Sequence, residues 1–268
     1  THTVPFEKVL LAIGRVPVLP AGLEQAGIAY TEQGISIDSQ YRTSNSQIYA
    51  IGDVALRNKF THTADEAGRS VVTHIMSRGW WRSRTHKAIP KVTYTDPEVA
   101  QVGMSQLQAE QTYGKDRIRR IEVPLQSNDR ATTDDRTDGV VIVIAKRLSG
   151  TVLGAHCIAP RAGELISVFT LAIDHKLSLY TLQQTIFPYP SYSLLIKKVA
   201  DTFLTTQLAE LRADIAAVVK RAAPKLLAAV MWGLAVLLLW RYQAANNLSN
   251  TDLALAAFNL IAATVWGP

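Results

Sequence analysis

Ile48-Tyr49-Ala50-Ile51 is an uninterrupted apolar run closed by Gly52-Asp53, the pattern of a strand buried on both faces that ends in a carboxylate. Such a strand belongs inside an α/β sheet, where ligand-binding groups are presented at strand ends. A second run of this kind, Val9-Leu10-Leu11-Ala12-Ile13, stops at Gly14 and is broken by Arg15-Val16-Pro17. Between them residues 23–27 read as a single helical turn and 36–38 as a short strand. The spacing of Ala64, Ala67, Val71, Val72 and Ile75 predicts a helix over 61–77 with Thr61 as its N-cap.

After Gly79-Trp80-Trp81-Arg82 the pattern changes. Alternation at Val92-Thr93-Tyr94-Thr95 opens a second domain, with a helix expected at 105–112 and strands at 118–125, 140–144 and 152–158. Leu148-Ser149-Gly150 is the turn that makes the last two strands antiparallel neighbours. Helices follow at 162–175 and 194–221. Strands in runs followed by helices indicate an α+β layer.

The formal charge of +6 comes from Lys and Arg scattered among acids, with local clusters only at Arg117-Arg119-Arg120 and Lys220-Arg221-Lys225, so nucleic acid is not the expected partner. The single Cys157 excludes an internal disulfide and a CxxC redox pair. No Cys/His spacing suits a metal, and the expected compartment is reducing. Cys157 falls within a strand and reads as core. The opening Thr1-His2-Thr3 has no signal-peptide pattern, and the expectation is a fragment or processed chain in the cytoplasm.

These residues, in this order, resemble the pyridine nucleotide-disulfide oxidoreductases, the flavoprotein family of dihydrolipoamide dehydrogenase, glutathione reductase and mercuric reductase. The likeness spans about residues 6–203. In that family a strand ending in Gly-Arg-x-Pro, here Gly14-Arg15-Val16-Pro17, finishes the NAD(P)-binding domain. Residues 48–53 resemble the last strand of the FAD domain, and 89–103, Ile-Pro-Lys-Val-Thr-Tyr-Thr-Asp-Pro-Glu-Val-Ala-Gln-Val-Gly, the opening of the dimerisation domain.

The resemblance implies FAD and NAD(P)H as cofactors. It puts Gly52 and Asp53 at the flavin ribityl chain, Lys59, Phe60, Thr61 and His62 at the flavin ring, and Gly14 beside the nicotinamide. A carboxylate at a strand end can accept a ribityl hydroxyl, and a helix N-terminus stabilises negative charge on a reduced flavin. Plainer readings stand beside these: a strand-to-turn Gly-Asp, a polar residue at a helix start, a strand-ending glycine. Arg130 in Asn128-Asp129-Arg130-Ala131 and Glu164 in Ala162-Gly163-Glu164-Leu165 match interface-domain motifs, as ion pairs, dimer contacts or solvated charge. A homodimer is implied.

The chain departs from the family at the active-site end. The disulfide-reducing members carry His-Pro-Thr-x-x-Glu, and the matching stretch here is Tyr189-Pro190-Ser191-Tyr192-Ser193-Leu194. A Tyr reference pKa lies about three and a half units above that of His, which makes it a poor proton shuttle at neutral pH. Phe187-Pro188-Tyr189 resembles the mercuric-reductase branch, with Tyr189 either near the substrate or a packed aromatic. The family's GxGxxG of the FAD domain, the GxGxx(G/A) of the NAD(P) domain and the redox cysteine pair are not in this sequence.

Residues 226–240 form an uncharged apolar run flanked by Lys225 and Arg241, and 253–266 is a weaker, Ala-rich one. Two readings stand for this tail: a membrane-spanning or interfacial helix, or a helical hairpin on soluble domains. The expected architecture is an α/β remnant of FAD/NAD(P)-binding domains over 1–86, an α+β dimerisation domain of antiparallel sheet and helices over 87–205, and a helical hydrophobic tail over 206–268 with possible membrane contact through 224–266. The expected function is an FAD-dependent oxidoreductase moving electrons from NAD(P)H to an unknown acceptor, mercuric-reductase-like and incomplete in this chain. The alternative is a non-catalytic dimerisation or membrane-anchoring module derived from such an enzyme.

Overall fold

A computed structural model describes residues 3–80 and 88–246, and within the last helix it leaves out the side chains of 221, 223–228, 238–239 and 241–246. The chain divides into two compact units, Thr1–Val199 and Ala200–Pro268. The 253–266 stretch and the Trp81-Arg82 end of the expected domain boundary lie outside the described residues.

The second half of the first unit follows the apolar pattern closely. Strands β3 (Lys91–Thr93), β4 (Glu98–Gly103), β5 (Ile118–Pro124), β6 (Val140–Lys146) and β7 (Val152–Ala159) form one antiparallel sheet in the order β3-β4-β7-β6-β5. Gly150, with φ of 67°, closes the turn from β6 to β7 as expected. Cys157 sits between Ala100 and Val141 in the register and is fully buried. Burial without a partner pushes its thiol up to about 12, so it is a core residue and not a nucleophile.

Helices cover both faces of that sheet. α2 (Gln106–Tyr113) packs through Ala109 on Ile118, Ile144 and Leu153. Its start is set by a capping box in which Gln108 N–H donates to Ser105 Oγ at 3.3 Å and Ser105 N–H to Gln108 Oε1 at 2.9 Å. On the other face α4 (Ala162–Asp174) lies on β4 and β7 and buries Leu165, Ile166, Phe169 and Ala172. A buried ring such as Phe169 contributes about 1.5–3 kcal/mol. Short helices α3 (Asp129–Thr133) and α5 (Leu179–Gln184) complete the layer before α6 (Leu194–Asn246).

Residues 3–80 differ more from the pattern. The run 9–13 forms no strand, and Leu10, Leu11 and Ile13 are 89%, 78% and 95% exposed. A strand meant to be buried on both faces needs a neighbour on each side, and among the described residues none pairs with it. Tyr49 makes a single bridge to Arg42 in place of a strand over 48–51. The short sheet here is β1 (Tyr30–Thr31) with β2 (Gly34–Ile35), and the strand expected at 36–38 does not form, those residues lying outside any strand. Residues 23–27 are hydrogen-bonded turns. A small core of Leu23, Ile28, Ile35 and Ala50 holds the segment together.

α1 (Thr61–Met76) forms where the spacing puts it, but its N-cap is Phe60 and no side chain caps it. The Thr63 hydroxyl turns back to donate to Asn58 O and Phe60 O, at 2.8 and 2.7 Å. The helix expected to end near 221 runs on through Pro224 to Asn246. Alanine and leucine around that proline are strong helix formers, and a long helix absorbs one missing N–H donor.

Candidate functional site

Gly52-Asp53 opens a tight 3₁₀ turn, Gly52–Val54, against which α1 packs. Gly52 takes φ of 74°, a left-handed conformation that favours glycine. A Cβ at Gly68 in α1 would lie 3.4 Å from Ile51 Cδ1, so a small residue there permits the close approach. The Asp53 side chain is about half exposed and lies 3.8 Å from Arg15 Nη1. That guanidinium also donates to the Lys59 carbonyl at 2.5 Å, tying the Gly14-Arg15 turn to the start of α1.

Lys59, Phe60, Thr61 and His62 surround the N-terminus of α1. Lys59 Nζ donates to Leu56 O at 3.3 Å. The Phe60 and His62 rings stack, with centroids 5.2 Å apart and planes 9° from parallel. His62 Nε2 lies 3.0 Å from Pro90 O, linking this segment to the chain leading into β3. Thr61 is exposed in the first turn. No side chain caps α1; Thr63 N–H donates to Phe60 O at 3.1 Å, and the positive end of the helix dipole lies at Thr61 and His62.

Two cavities flank these residues. One of about 430 Å³ is lined by His62, Thr63, Asn58, Tyr41 and Pro90. The other, also about 430 Å³, carries the cations Arg15, Arg57 and Lys59. Gly14 and Asp53 line neither. Gly14 is exposed, with nothing within 4 Å of where its Cβ would be. The structure thus brings Asp53, Arg15 and Lys59 together and puts His62 in a neighbouring cavity.

Tyr189 belongs to a separate cluster around α3 and the start of α6. It is 72% exposed, and the Asp129 carboxylate beside it raises the phenol above its ordinary value. Asn128, almost fully buried, caps α3 by accepting from Ala131 N–H at 3.0 Å and donates through Nδ2 to Ser191 O at 3.0 Å. Arg130 Nε lies 2.9 Å from Asp134 Oδ2, so the expected ion pair of Arg130 is local to α3. That guanidinium holds the Asp134 carboxyl below its usual range, with help from the Tyr192 hydroxyl at 3.1 Å. Glu164 is exposed at the N-terminal turn of α4. The residue that reaches that turn is Glu98 of β4, whose carboxylate accepts from Gly163 N–H at 2.9 Å.

Sequence reasoning missed Asn128, Asp129 and Glu98 as positioning groups. An Asn three residues before an N–H it accepts from is a readable cap, whereas the reach of Asp129 to Tyr189 leaves no local pattern.

Residues 1–68 match the model of the pyridine nucleotide-disulphide oxidoreductases, and 89–200 match the dimerisation domain of the same family. The mitochondrial dihydrolipoyl dehydrogenase of Schizosaccharomyces pombe is 36% identical over 194 residues, covering 72% of this chain and 37% of that protein. A mercuric reductase of Streptomyces lividans is 34% identical over 205 residues, covering 76% and 42%. Among solved structures, LpdA of Mycobacterium tuberculosis superposes with a TM-score of 0.65 at 31% identity, covering 72% of this chain and 42% of that one. The HOCl-induced flavoprotein disulfide reductase RclA of Escherichia coli does so at 0.64 and 26% identity, covering 72% and 43%. This chain therefore spans about two fifths of the length of these relatives. With two domain models of one family matched in order, and relatives above 30% identity along most of the chain, this chain belongs to the pyridine nucleotide-disulphide oxidoreductase family.

Proposed function

We propose that this chain is part of an FAD-dependent oxidoreductase that takes electrons from NAD(P)H and passes them through the flavin to an acceptor other than a lipoamide or glutathione disulfide. One observation carries the reading: a left-handed Gly52 and a half-exposed Asp53 stand just before a helix whose N-terminus no side chain caps. These residues fit one edge of a flavin site. The exposed pair with Arg15 at 3.8 Å contributes about 0–1 kcal/mol, too little to keep Asp53 from a ligand hydroxyl.

Bound FAD supplies hydride and electron transfer between the nicotinamide and the acceptor. Asp53 would accept a hydrogen bond from the ribityl chain, and Gly52 would leave room for it. The start of α1, with Lys59 and Thr61, would hold the flavin ring and stabilise negative charge on it. Phe60 and His62 form a stacked wall that excludes water, and Gly14 borders the nicotinamide. Tyr189, beside Asp129, would face the acceptor. A phenol whose titration is pushed upward stays protonated at neutral pH, which suits a hydrogen-bond donor and not a base. The remainder of the site and the redox cysteines are supplied from outside this sequence, which holds only Cys157.

In the same proposal, residues 1–86, 87–205 and 206–268 are the nucleotide-binding, dimerisation and tail regions. The dimerisation region pairs two copies, and the flavoprotein part is cytoplasmic. Among the described residues no helix is long and apolar enough to cross a membrane. Val230, Met231, Trp232, Leu234 and Trp240 are nonetheless exposed along α6, which supports membrane contact at an interface within 224–266.

A second reading, a dimerisation or anchoring module without turnover, is favoured for the isolated chain by the exposed 9–13 run and by Arg15 standing at Asp53. Absorbance of the purified protein separates the two. Flavin bands retained through gel filtration support the enzyme reading, and colourless protein that takes up no added FAD supports the module.

A further inference from the structure

In the second unit α6 carries an apolar seam, flanked on one side by Val219, itself 58% exposed. Leu204, Leu208, Leu211, Ile215, Val218 and Ala222 are separated by steps of four, three, four, three and four. Leu208, Leu211, Ile215 and Val218 are 46%, 56%, 55% and 65% exposed. A helix lying on a flat surface needs a wider stripe of period 3.6, whereas a strict period of 3.5 matches a second helix winding around the first. The charges of 204–222 are mixed, Arg212, Lys220 and Arg221 against Glu210 and Asp214, so the segment lacks the basic face with which a membrane-surface helix meets anionic lipid. The seam ends where the next core position falls on Lys225.

We propose that residues 204–222 pair with the same segment of a second copy of this chain in a short parallel two-stranded coiled coil. The proposal rests on the homodimer reading. α6 starts at Leu194 inside the stretch matched as a dimerisation domain and continues as one helix into the seam, so pairing there extends an interface of the same two chains. Two and a half heptads are marginal as free peptides. Tethering at their N-terminal ends makes the second association intramolecular, with an effective concentration of order millimolar. In that register Leu204, Leu211 and Val218 occupy d and Leu208, Ile215 and Ala222 occupy a, and the central pair Leu211 and Ile215 has the Leu-d, Ile-a combination that favours two parallel strands.

Cysteine cross-linking on the whole chain tests this, because the native Cys157 is fully buried and gives no background. In a parallel pair each d residue faces its own copy, so mild oxidation should shift Leu211→Cys to a covalent dimer. Ala213→Cys, on the opposite face, should remain at the wild-type level. Equal cross-linking of the two variants, or none in a protein that light scattering shows to be dimeric, overturns the coiled coil and leaves the homodimer intact. A monomer by light scattering overturns both. Cross-linking that appears only with phosphatidylglycerol vesicles, together with vesicle binding lost in Leu211→Glu, assigns the seam to a membrane and also overturns the proposal.

Discussion

Asn128 Nδ2 donates to the carbonyl of Ser191 at 3.0 Å across 63 positions of sequence. This bond ties the loop that carries Tyr189 to the first turn of α3, whose next residue, Asp129, raises the Tyr189 phenol.

Replacing Asn128 with Ala removes that donor and the acceptor for Ala131 N–H, leaving the buried Ala131 N–H without its cap and Ser191 O with only Leu194 N–H at 3.4 Å. The expected cost is about 1–3 kcal/mol, read as a fall of several degrees in the thermal midpoint. Asn128→Asp, which keeps the acceptor and loses the donor, should fall between the two. An unchanged midpoint for Asn128→Ala would show that the loop is held elsewhere.

Asp129→Asn removes the charge that raises the Tyr189 phenol. The phenolate should then form at lower pH than in the parent. The measurement is the alkaline difference absorbance near 295 nm, with Tyr189→Phe subtracted to isolate this ring. A titration that moves upward or stays in place contradicts the contact.

His156 is half-buried on β7, and burial lowers it below its ordinary value against a smaller opposing effect of the Met104 backbone. The unfolded chain therefore takes up the proton first as pH falls. This contribution to stability is fully present above the unfolded pKa of about 6.5 and is lost as pH falls from there through the folded pKa. Urea midpoints across this window should decline more steeply for the parent than for His156→Gln.

Two glycines give opposite expectations. A Cβ at Gly154 would stand 1.9 Å from the Met104 carbonyl oxygen, with more Met104 backbone at 2.9 Å, so Gly154→Ala should cost about 3 kcal/mol. At Gly14 nothing lies within 4 Å, and Gly14→Ala should leave stability within about 0.5 kcal/mol. If Gly14 borders the nicotinamide, the same variant raises KM for NAD(P)H with the melting point unmoved.

The antiparallel half of the fold was legible because its information is local. Val140 to Ile144, the Gly150 turn and the run from Val152 carry both the strands and their pairing. β4 escaped because Glu98-Val99-Ala100-Gln101-Val102-Gly103 was read as a motif and not for its alternation, and α5 because six residues behind the Ser178 cap show little periodicity. The 9–13 run was read correctly as apolar yet forms no strand, since a central strand is made by neighbours that its own residues do not encode. In the candidate site, Gly52-Asp53 and the start of α1 were visible as a pattern. The approach of Arg15 to Asp53 was not, because nothing local encodes a contact between Arg15 and residues some forty positions on. The same holds for Asp129 and Tyr189, sixty positions apart.

The central claim is that Asp53 holds a flavin that NAD(P)H reduces, and anaerobic bleaching of the flavin absorbance near 450 nm in the protein carrying this chain tests it most directly. The account predicts bound FAD bleached by NADH or NADPH, and roughly tenfold to hundredfold weaker FAD retention in Asp53→Ala, the loss of one hydrogen bond to a charged group. Protein that holds no FAD, or holds it equally with and without the Asp53 carboxylate, would contradict it.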